Sequence, residues 1–235
     1  MDEQQHNRQQ KCYFEENDKR TMQPRCSPYI DRQIERMVAE GNLSPQDRIL
    51  DVGCGIGRYT LPLADRNYNI EGLDIAGGLL QQLLQRKQIP VHCADIAYPP
   101  AELLGRFDVV VGFFALHHMF DLERAFVGIA KLLKPGGRVL FLEPNPYNPL
   151  YYIQILVTPR MTWHGDKGIV QMRRNRIFSA IAKAGFSKQK LSRFGFFPPF
   201  IADQRGAQRV ESILERIPLW KPLLPFQIFS ARKDR

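Results

Sequence analysis

The sequence predicts a doubly wound α/β fold: a seven-stranded sheet, mostly parallel, with one antiparallel C-terminal strand and helices on both faces. Short apolar runs alternate with amphipathic helical patterns along the first 145 residues, which is the rhythm of strand–helix–strand units. The run "RFDVVVGFFAL" is almost continuously apolar, as in strands that helices cover on both faces. These two observations define the predicted fold class.

Local signals place the elements in order. A first helix is expected in "SPYIDRQIERMVAEG", where Ser27 can cap it, Pro28 suits its first turn and Gly41 stops it. Residues 1–27 are expected to be loosely ordered, with a short helix at most. Further helices are expected over Arg58–Asn67, Gly77–Lys87 and Leu122–Leu133, and in "NRIFSAIAKAGF" and "DQRGAQRVESILERI". The predicted strands are RILDVG, YNIEGLDI, PVHCADI, RFDVVVGFFAL, RVLFLE, KQKLSRFGFF and PFQIFSARK, the last one (Phe226–Lys233) antiparallel.

The chain is expected to have four parts. A cap segment (1–40) precedes the core (41–145), and a lid or substrate insertion (146–176) precedes a C-terminal completion of the sheet (177–235). The strand–helix rhythm breaks after Glu143, where a long Pro-rich segment with several aromatics begins. An insertion after the carboxyl end of a strand lies where ligands bind in open α/β sheets.

Composition narrows the class of protein. At 235 residues and 44% hydrophobic content, the chain can build one α/β core with a modest lid. No run approaches the roughly 20 apolar residues of a membrane span, and the polar N-terminus does not resemble a secretory signal, so a cytoplasmic location is expected. The scattered cysteines predict reduced thiols and no metal site; they are Cys12, Cys26, Cys54 and Cys93.

The basic charge is concentrated in one part of the chain. Residues 1–159 carry 17 Lys+Arg against 19 Asp+Glu, whereas residues 160–235 carry 16 against 5, so their net charges are −2 and +11. A basic segment can serve nucleic acid, a membrane surface or an anionic small substrate, or it can be a solubilising face. Charge alone leaves these interpretations open.

The glycine loop in "ILDVGCGIGRYT" indicates a nucleoside-type cofactor. Its glycines are Gly53, Gly55 and Gly57, and Arg58 stands where the dinucleotide fingerprint has its third glycine. Asp51, two residues before the loop, would repel a pyrophosphate but suits a cation or an ammonium group. The loop therefore favours a cationic nucleoside over a dinucleotide.

Five segments extend this interpretation in the same order along the chain: "LDVGCGIG", "EGLDIA", "CADI", "FDVVVGFFALHHM" and "LLKPGGRVLFLEPN". Over roughly residues 13–145, the chain resembles the class I S-adenosylmethionine-dependent methyltransferases, in the broad group that includes menaquinone and ubiquinone biosynthesis enzymes. The resemblance implies a Rossmann-like sheet, S-adenosyl-L-methionine as cofactor, S-adenosyl-L-homocysteine as product, and no metal.

The resemblance also implies roles for individual positions. Asp51 helps to hold the methionine end, Asp74 offers two oxygens to the ribose hydroxyls, and Asp95 lies near the adenine. Capping of the strand–helix junction is the alternative role for Asp74. The implied cofactor-binding residues are Asp51, Gly53, Cys54, Gly55, Gly57, Asp74, Ile75, Asp95, Ile96 and Phe113.

The pair His117–His118, just after the fourth strand, supplies the candidate catalytic residues. A neutral imidazole can accept a proton from a hydroxyl or ammonium group, and His117 is favoured over His118. The alternative is that one histidine packs or caps the following helix. Methyl transfer by proximity alone, without a general base, also remains open.

Candidate substrate residues come from the N-terminal segment and the insertion. Tyr13 and Phe14 are expected to gate the site, and basic residues near its mouth would suit a phosphate or carboxylate on the acceptor. The basic candidates are Arg160, His164, Lys167, Arg173, Arg174 and Arg176. The substrate residues predicted in total are Tyr13, Phe114, Asn145, Tyr147, Tyr152 and Arg173.

The resemblance predicts methyl transfer to an oxygen or nitrogen of a small acceptor, which can carry a phosphate or carboxylate, in an enzyme of secondary-metabolite or glycan-tailoring type. The alternatives are an RNA or tRNA methyltransferase and a non-catalytic cofactor-binding partner subunit. A nucleic-acid partner is possible but not favoured, since no added RNA-binding module is visible. A monomer or homodimer is expected.

Overall fold

A computed structural model of the chain describes residues 2–16, 23–24, 27–157 and 167–234. Within these residues, seven strands form one sheet in the order β3-β2-β1-β4-β5-β7-β6. Strand β7 runs antiparallel to both its neighbours, β5 and β6, and all other pairs are parallel, which confirms the predicted fold class. The strands are β1 (Ile49–Val52), β2 (Ile70–Asp74), β3 (Val91–Cys93), β4 (Phe107–Phe113), β5 (Leu133–Pro144), β6 (Phe186–Phe194) and β7 (Phe226–Lys233).

Helices flank the sheet. They are α1 (Glu3–Glu16), α2 (Pro28–Gly41), α3 (Thr60–Asp65), α4 (Gly77–Arg86), α5 (Leu122–Leu132), α6 (Pro149–Val157), α7 (Arg174–Lys183), α8 (Pro199–Ala202) and α9 (Ala207–Leu214). Short 3₁₀ turns lie at Leu116–His118 and Lys167–Gln171, among other places. Among the helices of the described ranges, none is long and apolar enough to cross a membrane.

Helix α2 begins as the sequence predicts. Ser27 is extended, and its Oγ accepts a hydrogen bond from the Ile30 amide at 3.4 Å. The helix ends one residue later than predicted, because Gly41 is still helical and Asn42 takes the left-handed conformation (φ 47°). Gly41 instead permits close packing, since a Cβ there would overlap Leu140.

Helix α1, helix α3 and strand β5 also differ from the predictions. Helix α1 is fourteen residues long rather than short, because tertiary contacts hold it, among them Glu3 to Arg124. Helix α3 starts at Thr60 instead of Arg58, after a loop in which Gly57 has a φ of 85°. Strand β5 starts at Leu133, so the "KPGG" turn lies inside it as an irregularity between two paired stretches.

Two apolar layers cover the two faces of the sheet. On one face, α5 and α7 bury a cluster that contains Phe126, Phe141 and Ile181. On the other face, α2 packs Ile34 and Met37 against the sheet. Since β1, β2, β4 and β5 run in parallel, their carboxyl ends lie at one edge, which is where ligands bind in such sheets.

Candidate active site

A cavity of about 740 Å³ opens at this edge of the sheet. The loops after β1, β2, β3 and β4 line one side, and helix α1 adds Asn7 and Gln10. Residues of α6 and an aromatic segment around α8 and β7 line the other side. We call this space the central cavity. Its volume lies in the range of small-molecule sites.

The glycine loop forms part of the wall through Gly53 and Gly55. Gly53 has a φ of 71°, and a Cβ there would lie 2.7 Å from the Ala115 Cβ. Gly55 has a φ of 53°, and a Cβ there would meet only a Leu79 methyl at 3.9 Å, so open space lies beside the backbone. Gly57 is outside the lining, and its Cβ would come within 2.9 Å of Leu61 Cγ, so close packing of the loop explains this third glycine.

Asp51 lies in the wall beside the loop and is 2% exposed. Its Oδ2 accepts a hydrogen bond from Thr60 Oγ1 at 2.7 Å, while its Oδ1 is buried without a hydrogen-bond partner among the described residues. Burial, reinforced by the nearby Asp74 carboxylate, raises the pKa of Asp51 to about 7 against the opposing Thr60 hydrogen bond. A cation bound next to Asp51 would offset the free-energy cost of burying its charge and keep the carboxylate ionised.

Asp74 and Asp95 also line the central cavity. Asp74 accepts backbone hydrogen bonds from Gly55 and Ala76, one on each oxygen, at 2.8 and 2.9 Å. It therefore braces the glycine loop from the cavity wall. Asp95 accepts from the Ala97 amide and from Asn7 Nδ2 of α1 at 2.6 Å, so α1 is tied to the predicted adenine end.

The remaining predicted cofactor residues lie in the wall of the same cavity: Cys54, Ile75, Ile96 and Phe113. Phe113 stacks on Tyr59 with ring centroids 4.3 Å apart. Burial raises the pKa of the Cys54 thiol well above its usual range, so this cysteine is an apolar wall residue rather than a nucleophile. In the described part of the chain, no group of three or more His, Cys, Asp or Glu residues is arranged to hold a metal.

His117 reaches the cavity as one half of a buried pair. Its Nδ1 lies 2.7 Å from Oε2 of Glu143, which is fully buried at the end of β5. The other oxygen of Glu143 accepts the amides of Ala115 and Leu116 at 2.9 and 2.7 Å. An ionised Glu143 can only accept, so with this partner a neutral His117 would carry its proton on Nδ1 and leave Nε2 as an acceptor.

His118 also lines the cavity, with its ring 3.9 Å from the His117 ring. Its carbonyl oxygen lies 3.0 Å from His6 Nε2 of α1, in the range of a hydrogen bond. The structure thus separates the two histidines, because the buried carboxylate orients His117 whereas the backbone of His118 contacts the N-terminal helix.

Only some of the predicted substrate residues line the central cavity. Phe114 lines the central cavity, with a φ of 57° that is unusual for a bulky residue and marks local strain. Asn145 is fully buried, and its Nδ2 donates to the carbonyls of Pro222 and Leu224, so it braces the chain before β7 instead of facing a ligand. Tyr152 lies outside the lining, and its hydroxyl donates to the Pro146 carbonyl.

Three further substrate predictions do not fall on the central cavity. Tyr13 lies on α1, which does line it, but the lining residues of that helix are Asn7 and Gln10. Tyr147 and Arg173 line a different cleft, described below. The side chains of Phe14 and Lys167, and all of Arg160 and His164, lie outside the described residues.

Several lining residues have no counterpart among the predictions. Arg58 sits at the cavity with its guanidinium 5.5 Å from the Tyr59 ring centroid, and its buried Nε has no hydrogen-bond partner among the described residues. Its place directly after the glycine loop was the one available signal. The aromatic side gathers residues from distant segments, so no single motif predicts it: Tyr29, Tyr59, Phe197, Phe200 and Phe226.

The core of the chain is similar in sequence to known proteins. Residues 50–141 match the family model described as "Methyltransferase domain". A ubiquinone biosynthesis O-methyltransferase of Alkalilimnicola ehrlichii is 36% identical over 142 residues, which are 56% of this chain and 57% of that protein. An S-adenosyl-L-methionine-dependent Diels-Alderase of Talaromyces variabilis is 32% identical over 134 residues, 50% of this chain and 44% of that protein. The chain thus spans about half the length of the curated relatives it matches.

Solved structures share the fold at low identity. Geranyl diphosphate C-methyltransferase of Streptomyces coelicolor has a TM-score of 0.62 and 15% identity, covering 97% of this chain and 98% of that one. Phosphoethanolamine N-methyltransferase 2 of Haemonchus contortus has a TM-score of 0.61 and 19% identity, covering 87% and 53%. The family match over residues 50–141, the sheet order and these shared folds together support a class I S-adenosylmethionine-dependent methyltransferase.

Proposed function

We propose that this protein transfers a methyl group from S-adenosyl-L-methionine to an oxygen or nitrogen of a small acceptor with an apolar body. The observation that carries the proposal is the central cavity, because one space is lined by the glycine loop, by three aspartates and by the His117–Glu143 pair. This combination provides a cofactor wall and an oriented proton acceptor in the same site.

The donor set fits this cofactor. The carboxylates of Asp51, Asp74 and Asp95 line the cavity. The buried Oδ1 of Asp51 has no hydrogen-bond partner among the described residues, which suits the cationic ammonium group of this cofactor. The open space beside Gly55 admits a ligand close to the backbone. When bound, the cofactor supplies a methyl group on a sulfonium that is already activated for in-line displacement.

His117 then acts on the acceptor. Nε2 of neutral His117 accepts the proton of an attacking hydroxyl, or deprotonates an ammonium group to the amine that attacks the methyl group, and the Glu143 carboxylate stabilises the resulting imidazolium. Such a base contributes typically 10²–10⁴-fold in rate. Alignment of the reacting atoms by the cavity contributes in addition.

The aromatic side of the cavity indicates the acceptor. Tyr29, Phe114, Phe197, Phe200 and Phe226 form much of the wall there, and aromatic walls favour a flat or apolar molecular body. We therefore favour a secondary-metabolite type of acceptor over a strongly hydroxylated glycan. Arg58 is the one Lys or Arg among the described lining residues, so an anionic group on the acceptor would meet this guanidinium.

Segment 146–176 is proposed to cover the acceptor. Within it, α6 contributes Leu150, Tyr151 and Ile153 to the central cavity, and Gly168 packs so closely on the His117 backbone that a Cβ would overlap its carbonyl. In its described part, the segment thus lines the central cavity and packs on the backbone of the candidate base.

Calorimetric titration tests the cofactor first. We expect micromolar binding of S-adenosyl-L-methionine and S-adenosyl-L-homocysteine and no binding of NAD. Binding of NAD alone would contradict the proposal. Acceptors with phenolic hydroxyls, carboxyls and amines are then screened for formation of S-adenosyl-L-homocysteine.

A cofactor-binding protein that transfers no methyl group is the second candidate, and the Diels-Alderase among the relatives favours keeping it. The two candidates differ in one readout, because only methyl transfer consumes the cofactor. Conversion of an acceptor without S-adenosyl-L-homocysteine release would support the second candidate.

A further inference from the structure

A second cavity, of about 840 Å³, lies between α7, β6 and the segment after β5. It shares no described lining residue with the central cavity. Four arginines line it, from the start of α7 and from β6: Arg173, Arg174, Arg176 and Arg193. We call this space the arginine cleft.

The arginines of the cleft lack counter-charges in the described part of the chain. None of the described lining residues is Asp or Glu, and none of the four guanidiniums forms an ion pair there. Arg193 is half-buried, and its buried Nε has no hydrogen-bond partner among the described residues. Burial and the nearby charge of Arg174 lower the pKa of Arg193. An anion bound here would offset both the lost hydration and the repulsion between the two guanidiniums.

Helix α7 adds to the positive potential. Arg173 is its N-cap residue with no side-chain cap, and the first turn holds no acidic residue. The N-terminus of a helix carries a partial positive charge and free N–H groups, so arginines in the first turn are disfavoured unless an anion is bound. Arg174 is further ordered by its position 5.1 Å from the Phe178 ring centroid.

We propose that the arginine cleft binds a phosphorylated small molecule, at a site separate from the central cavity. Guanidinium groups match phosphate oxygens in bidentate fashion, and several of them together select a multiply charged anion over a monocarboxylate. The cleft is concave and sized for a small molecule, and its wall includes Tyr147, Phe178 and Leu191, which suit an organic body attached to the phosphate.

Calorimetry with pyrophosphate, inorganic phosphate, phenyl phosphate and acetate tests this proposal at constant ionic strength and without S-adenosyl-L-methionine. We expect binding of the phosphates and none of acetate. Tighter binding of phenyl phosphate than of inorganic phosphate would identify an organic phosphate as the ligand. Equal affinity of the two would identify the free inorganic anion.

Arg193→Gln and Arg174→Gln are each expected to weaken pyrophosphate binding about tenfold or more, because each removes a charge-assisted contact. Arg209→Gln, at an exposed arginine of α9 outside the cleft, is the matched control and should bind normally. Circular dichroism checks that each variant folds. If Arg193→Gln is unfolded, Arg174→Gln provides the test, since Arg174 is exposed and its substitution should not affect folding.

Unchanged pyrophosphate affinity in Arg174→Gln, or an equal loss in Arg209→Gln, would overturn the proposal. Binding of an RNA duplex with steep salt dependence, together with no binding of pyrophosphate, would overturn it in favour of nucleic acid. The proposal does not rest on methyl transfer, because the anion is titrated without the cofactor.

Discussion

The central cavity and the arginine cleft are similar in volume and opposite in charge. Asp51, Asp74 and Asp95 line the first, whereas four arginines and no acidic residue line the second among the described residues. The formal net charge of +9 thus conceals an acidic cavity. Among the described residues, the C-terminal third contributes aromatic and proline side chains to the central cavity but none of its Lys or Arg residues, so this cavity suits a cationic ligand.

The largest expected effect tests the base in the central cavity. His117→Ala should lower the methyl-transfer rate about 10²–10⁴-fold with little change in cofactor affinity. Glu143→Gln should cause a loss of the same order, because the amide would donate to Nδ1 and leave Nε2 protonated. Rates measured against pH check both variants, and His118→Ala should lose much less. A loss of only a few-fold in His117→Ala would leave alignment as the main source of catalysis.

Asp74 tests the cofactor wall. Asp74→Ala should weaken S-adenosyl-L-homocysteine binding about 100-fold, since it removes charged acceptors for the ribose and a brace of the glycine loop. Calorimetry provides the measurement, with pyrophosphate affinity as an internal check on the fold. The control is Asp65→Ala, at an exposed carboxylate paired with Lys87. Unchanged affinity in Asp74→Ala would contradict the ribose assignment and leave Asp74 with only its structural role in capping the strand–helix junction.

Asp51 provides a pH-dependent test of the acidic cavity. Its pKa is raised to about 7, so the folded state binds this proton more tightly than the unfolded state does, and stability falls as pH rises from about 4 to 7. Asp51→Asn should therefore stabilise the cofactor-free protein at pH 8, by on the order of 4 kcal/mol, and much less at pH 4. Urea unfolding at both pH values checks this, and Asp65→Ala should show no such difference. Equal stability of wild type and Asp51→Asn at pH 8 would contradict the raised pKa.

The smallest expected effect is that of salt concentration on ligand affinity, which should differ between the two cavities. Raising sodium chloride from 0.05 to 0.5 M should weaken pyrophosphate binding several-fold, because the exposed arginines of the cleft are screened. S-adenosyl-L-homocysteine binding should change about twofold or less, since its aspartates are partly or fully buried. Parallel titrations provide the comparison, and equal salt dependence at both sites would remove the proposed distinction.

Local patterns predicted the sheet well and the ends of elements less well. The glycine loop, the Asp74 position and strand β7 follow from short motifs, because strand alternation and tight turns are local properties. Helix α1 was underestimated, since it depends on partners such as Arg124 and Asp95 far along the chain. Asn145 looked like a ligand contact by type, and only its carbonyl partners reveal its structural role.

The sequence by itself determined the fold class, the family resemblance and the identity of the candidate cofactor residues, because each rests on residues close together in the chain. The tertiary structure alone decided that Glu143 orients His117, and that arginines of α7 and β6 converge on a cleft away from the cofactor. The physical reason is that these groups lie far apart in sequence and meet only through the strand order. The charges and protonation states of these groups depend on their contacts in the folded chain, which residue spacing does not predict.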